Sequence, residues 1–113
     1  MRDRPVSETG GEKEASNTSY SSMPWAAIAA LSEHYYVGAQ KYPNDPDTNQ
    51  PNYMKGYPMS LSFEALHRHL SAYWQGEDLD PETQTNHMLA VAWHALNIYT
   101  LTGSDWDDRW LGD

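Results

Sequence analysis

A run from Met88 to Leu101 is apolar on nearly every face and stops at Gly103, and it constrains the fold most. It is shorter than the roughly 20 residues a bilayer needs, so other parts of the protein must cover it. The chain supplies helices for that purpose. Trp25, Ile28, Ala29, Ser32, Tyr35 and Tyr36 recur at helical spacing, which predicts a first helix from near Ser22 to Gly38 or Pro43. Phe63, Leu66, Leu70, Tyr73 and Trp74 predict the buried stripe of a second helix, opening at Ser60 or Ser62 and closed by Gly76. Asp80-Pro81-Glu82 reads as cap, first-turn proline and early acid of a third. No strand pattern and no internal repeat interrupts this series.

The predicted fold class is all-α: a small bundle of three main helices. A long loop, Pro43 to Pro58, rich in Pro, Asn, Asp and Gly, separates the first two. Residues 1–21 carry charges, Ser, Thr, Gly and Asn with hardly a large apolar side chain. Such a segment cannot bury enough surface to offset its ordering entropy, so it reads as a flexible N-terminal arm. Residues 22–113 then form a single all-α domain.

Charge narrows the function. Lys and Arg number 7 against 16 Asp and Glu, a formal net charge of -9. A protein that tracks a nucleic-acid backbone carries the opposite sign, so a DNA or RNA polymer is not an expected partner. An acidic protein can still bind a nucleotide when a cation bridges carboxylates and phosphates. The absence of cysteine excludes disulfides, thiolate metal sites and cysteine nucleophiles. No apolar run of membrane length or signal type is present, so no membrane partner and a cytoplasmic location are expected.

Chemistry-bearing residues cluster in two stretches. Arg68 and His69 lie inside the second helix, and Glu77, Asp78, Asp80 and Glu82 follow Gly76. Crowded carboxylates repel one another, and a hard cation such as Mg²⁺ or Mn²⁺ relieves that repulsion. Arginine grips phosphate in bidentate fashion. His87 stands directly behind the acidic loop. His94, seven residues on, shares its helical face, but two turns separate nitrogens too far for one ion; a hydrogen-bonded core histidine is the plainer reading. Glu33 lies on an otherwise apolar stripe with Ala26, Ala30 and Val37, and a partly buried acid there has functional potential. Lys41 and Lys55 flank or enter the long loop as further phosphate candidates. A solvated turn with capping acids remains the plainer reading of Asp80 and Glu82.

Taken in order, these residues resemble one family. Thr9-Gly10-Gly11-x-Lys13, Leu31-Ser32-Glu33-His34-Tyr35 and Gly38-Ala39-Gln40-Lys41-Tyr42 begin the match. Lys55 through Ser62, Arg68-His69 and Trp74-x-Gly76-Glu77-Asp78-x-Asp80 continue it. His87-Met88-x-x-Val91-Ala92-Trp93-His94 and Asp107-Asp108-Arg109 close it. The chain is similar to the dATP/dGTP diphosphohydrolase family of bacteriophages. The resemblance implies hydrolysis of a deoxynucleoside triphosphate to monophosphate and pyrophosphate, with Mg²⁺ or Mn²⁺, in the host cytoplasm.

On that reading Glu33, Glu77 and His87 are the catalytic residues, and Lys41, Lys55, Arg68 and His69 bind phosphate. Glu33, Glu77, Asp78 and Asp80 hold the metal. All-α pyrophosphohydrolases carry two acidic pairs on adjacent helices. Here Glu33 has Tyr36 and Val37 where its partner acid would stand, and Gly76 and Pro81 put Glu77-x-x-Asp80 in a loop. Those gaps, with the aromatic tail Trp106 to Trp110, favour an alternative: a non-catalytic phage accessory protein that binds a nucleotide or a host protein. The third helix has more apolar surface than two neighbours in a small subunit can cover. A homo-oligomer, dimer or tetramer, is therefore expected.

Overall fold

The computed structural model describes residues 5–111. Their regular structure consists of α1 (Trp25–Lys41), α2 (Met59–Trp74) and α3 (His87–Leu101), with short 3₁₀ turns at Tyr20–Ser22 and Asn52–Lys55. Among the described residues there is no strand, only two isolated bridges. The protein is all-α. The apolar α3 is the middle element, packed along α2 and, less extensively, against α1. Contacts of His69 with His87 and of Ser62 with His94 show that α2 and α3 run antiparallel.

Local chemistry sets the helix ends. α1 begins at Trp25 rather than near Ser22: Pro24 is its boundary residue, and Tyr20–Ser22 form a separate turn. The helix passes through Gly38 and ends at Tyr42, which Pro43 forces out of the helical region (φ -125°, ψ 84°). The third helix starts later than its sequence predicts. Asn86, not Asp80, caps it, its side chain accepting from Met88 N–H. Residues 77–86 instead double back as a hairpin-like loop. Asp80 N–H donates to Thr85 C=O, His87 N–H to Asp78 C=O, and Leu79 bridges Asn86. Gln84, at φ 60°, makes the reversal.

The buried face of α2 also differs from the predicted stripe. Met59, Ser62 and Ala65 are buried and Leu66, His69 and Ala72 half-buried, while Phe63, Leu70, Tyr73 and Trp74 are exposed. Close helix approach explains the choice. α3 presents Ala90 at the contact, and small or hydrogen-bonding residues let the two backbones come together where a phenyl ring would hold them apart. Of α3 itself, His87, Ala90, Asn97 and Leu101 are buried, while Met88, Leu96 and Tyr99 remain exposed.

The tail folds back on α2. Trp106 C=O accepts from Met59 N–H, and Asp108 accepts from Ser60 N–H (2.9 Å) and Ser60 Oγ (2.5 Å). An aspartate 48 residues away thus caps α2, and neither Ser60 nor Ser62 does. Arg109 and Gly103 N–H hold the Asp107 carboxyl well below its usual range. Trp106 passes over Gly56 so closely that an added Cβ would lie 1.9 Å from its Nε1.

The connection over residues 42–58 holds an Asp45-centred turn and the 3₁₀ turn, whose Tyr53 packs edge-on to Tyr35 and Trp93. At the N-terminus, residues 5–19 hold one bridge, Val6 to Glu12, and are almost wholly exposed. The first four residues of the expected arm lie outside the described residues.

Candidate functional site

Antiparallel packing of α2 on α3 gathers four of the five histidines along one seam. At the loop end of that seam the His69 and His87 Nδ1 atoms are 2.8 Å apart, and His87 Nε2 is 2.6 Å from Glu77 Oε1. A carboxylate accepts only, so a neutral His87 carries its proton on Nε2 and presents a bare Nδ1. His69 then donates to it from Nδ1. The hairpin-like loop brings Asp80 over the pair. Its Oδ1 accepts from Glu82 N–H, and its Oδ2 stands 3.9 Å from His69 Nδ1, beyond hydrogen-bond reach.

One ligand atom from each of His69, Asp80 and His87 lies within 4.8 Å of the others. These three residues could hold a divalent cation. His87 is buried, while His69 and Asp80 are partly exposed, so the cluster opens to solvent.

Beside it runs a shallow groove of about 630 Å³, lined by Glu64, His67, Arg68, Ser71, Ala72, Gln75 and Glu77. Glu77 belongs to both features. Its carboxylate is 51% exposed, so one oxygen can hold His87 while the other meets a ligand. Arg68 is exposed on α2 and lines the same groove.

A second hydrogen-bonded chain occupies the far half of the seam. Tyr35 OH donates to Asn97 Oδ1 (3.2 Å), and Asn97 Nδ2 donates to Tyr57 OH (3.3 Å). Having accepted that bond, Tyr57 gives its own proton to Ser62 Oγ (2.6 Å), which in turn donates to His94 Nδ1 (2.8 Å). Burial pushes His94 down to about 4 and lowers His69 and His34, while it pushes Tyr35 up to about 12. These histidines are therefore neutral near pH 7. The His94 ring stacks on His69 with centroids 5.9 Å apart, which links the two halves.

The other expected site residues fall into place individually. Glu33 is exposed on α1 and stays out of the cluster, and its neighbour His34 is the residue that turns inward, bonding Thr85 Oγ1 at 3.1 Å. Asp78 contributes its backbone carbonyl to His87, and its side chain is exposed. Lys41 pairs with Glu82 at 2.8 Å and ties α1 to the hairpin-like loop, whereas Lys55 pairs with Asp45 at 3.3 Å. Sequence reasoning missed His34, Tyr35, Tyr57, Ser62 and Asn97. For Ser62 and Asn97 the signal was the spacing 59, 62, 65, 69, 72 on α2 and 87, 90, 94, 97, 101 on α3, stripes that mix small and hydrogen-bonding residues.

No curated protein and no solved structure matches the chain. A family model described as dATP/dGTP diphosphohydrolase, N-terminal, matches residues 7–109. The matched span takes in Arg68, the His69–His87 pair, the hairpin-like loop and the folded-back tail as far as Arg109. With nearly its whole length inside that span, the chain belongs to the dATP/dGTP diphosphohydrolase N-terminal family.

Proposed function

We propose that this protein hydrolyses deoxynucleoside triphosphates, dATP or dGTP, to the monophosphate and pyrophosphate with the help of a divalent cation. Family membership supports the nucleotide chemistry. The single structural observation that carries the reading is Glu77, shared between the histidine–carboxylate cluster and the Arg68 groove. His69, Asp80 and His87 would hold the cation. Bound there, it would neutralise triphosphate charge and make a water more acidic.

The chain's own residues do the rest. Arg68 grips phosphate oxygens in the groove through its planar fork. Glu77, anchored at one oxygen by His87, takes the proton of the attacking water at the other. Water oxygen bonds to the α-phosphorus, the bond to the bridging oxygen breaks, and pyrophosphate leaves with that electron pair. His87 Nε2–H keeps the carboxylate oriented throughout. Lys41 and Lys55, each paired with an acid, supply positive charge only if those pairs open.

Incubating the pure protein with each dNTP and Mg²⁺ or Mn²⁺ tests this directly. Stoichiometric pyrophosphate and deoxynucleoside monophosphate are the expected products. Nucleotide binding without release under all four bases and both metals would establish the non-catalytic accessory role instead.

A further inference from the structure

We infer that His69, Asp80 and His87 form a selective site for a borderline divalent cation such as Mn²⁺, Co²⁺ or Zn²⁺, and that Mg²⁺ is a poor occupant. The inference deepens the metal-assisted reading above and rests on it for its chemical purpose. The donor set itself stands on geometry alone.

Two imidazole nitrogens and one carboxylate oxygen converge, and their separations of 2.8 Å (His69 to His87) and 3.9 Å (His69 to Asp80) are already close to metal-ligand scale. Ligands at about 2.0–2.2 Å from a shared ion stand roughly 3–4 Å from one another. Two of the separations are thus at that scale already, and the third pair, His87 and Asp80, lies within 4.8 Å. Mg²⁺ prefers oxygen donors and dehydrates reluctantly, whereas imidazole suits the later first-row ions.

The proton that His69 and His87 share between their Nδ1 atoms occupies the space a cation would take. When a cation takes that place, the His69 proton moves through solvent from Nδ1 to the ring's own Nε2, so two nitrogen lone pairs face the ion and both rings stay neutral. Glu77 is the orienting partner in this arrangement and not a ligand. By holding Nε2–H of His87, it fixes the tautomer in which Nδ1 is bare, as outer-sphere carboxylates do for metal-bound histidines. The hairpin-like loop, reversed at Gln84, is what delivers Asp80.

The alternative occupants make different predictions. A site built from Glu33, Glu77, Asp78 and Asp80 would be all oxygen and would favour Mg²⁺. A purely structural imidazole pair would bind nothing.

Titrating the metal-free protein with Co²⁺, without nucleotide, separates these outcomes. Visible absorption of a nitrogen-ligated ion should appear and saturate at one Co²⁺ per chain. Mn²⁺ or Zn²⁺ should displace it at comparable concentration, and Mg²⁺ only at a hundredfold or greater excess. Asp80→Asn and His69→Ala should each weaken binding at least a hundredfold, Glu77→Gln ten- to a hundredfold, and Glu33→Gln should change nothing. Circular dichroism on each variant excludes unfolding as the cause, and Asp80→Asn, in a loop, keeps the test valid should a helix variant fail to fold.

Equal competition by Mg²⁺, or binding untouched by both Asp80→Asn and His69→Ala, overturns the inference. Pyrophosphate release with Mg²⁺ in a protein that binds no Co²⁺ would sink the site while sparing the proposed function. Tight Co²⁺ binding with no hydrolysis would do the reverse.

Discussion

The two ends of α3 carry buried polar clusters of opposite character. At the Asn97 end the hydroxyls and the amide join in one directed chain from Tyr35 through Asn97, Tyr57 and Ser62 to His94. Ser62 and Asn97, at its centre, are 2% and 1% exposed. At the His87 end a single proton lies between the His69 and His87 Nδ1 atoms, a carboxylate oxygen of Asp80 stands out of hydrogen-bond range of them, and Glu77 is half in solvent. A satisfied network gains nothing from a ligand and serves to fix the packing. A solvent-reachable cluster with a carboxylate oxygen still uncommitted gains from a cation that imidazole and carboxylate suit. The same residue types thus serve architecture at one end and chemistry at the other.

The sharpest break of this comparison falls on Glu77. Glu77→Gln should lower pyrophosphate release at least a hundredfold, about 2.7 kcal/mol of transition-state stabilisation, with unfolding free energy changed by less than about 1 kcal/mol. Steady-state rates beside a urea melt would check it, and full activity in the variant removes Glu77 from the site. Asn97→Ala should behave inversely. It strips partners from two tyrosines inside the core and should cost about 2–3 kcal/mol of stability by urea denaturation. Metal affinity measured on the folded fraction should hardly move. A large loss of affinity with unchanged stability would erase the distinction between the two ends.

Arg68→Lys comes next. It keeps the charge but loses the fork, so turnover should fall about tenfold while the melting temperature stays within a degree or two. A melting temperature several degrees lower with intact nucleotide affinity would make Arg68 structural.

Acidity probes the seam as a whole. Burial lowers His34, His69 and His94 below their ordinary value, to about 4 for His94. Below about pH 6.5 the unfolded chain takes up protons that the folded one refuses. The metal-free protein should therefore be fully stable above pH 6.5 and lose stability as pH falls from there towards 4. Thermal melts across that range that stay flat would contradict the burial of this seam.

The outer surface gives the last and smallest test. Phe63, Trp74, Leu96 and Tyr99 are all exposed, Trp74 by 86% and Tyr99 by 81%. A second copy covering them makes a dimer or tetramer the expected species by light scattering at micromolar concentration. A monomer there would leave those side chains unexplained by self-association.

Element existence was legible in the sequence because it depends on local spacing. The apolar run of α3 with Gly103 behind it, and the proline that ends α1, need no partner to be read. Arg68, His69, Glu77, Asp80 and His87 also stood out, since charge and imidazole types beside an apolar stripe are visible without coordinates. The face of α2 that turns inward was not. Phe63, Leu66 and Leu70 form the more hydrophobic stripe, yet Ser62, Ala65 and His69 win the interface. Only the antiparallel approach of α3 makes closeness and hydrogen bonding worth more there than apolar area.

The roles of the acids were equally undecided. Sequence offered Glu33, Asp78 and Asp80 together as metal ligands, with Asp80 more plainly read as a capping acid. The reversal at Gln84 and the cap at Asn86 aim Asp80 at His69 and leave Asp78 facing solvent. Local sequence determined which segments are helices and which side chains can carry charge. Tertiary structure alone decided which of them meet, because the geometry of a site is set by contacts between residues far apart in the chain.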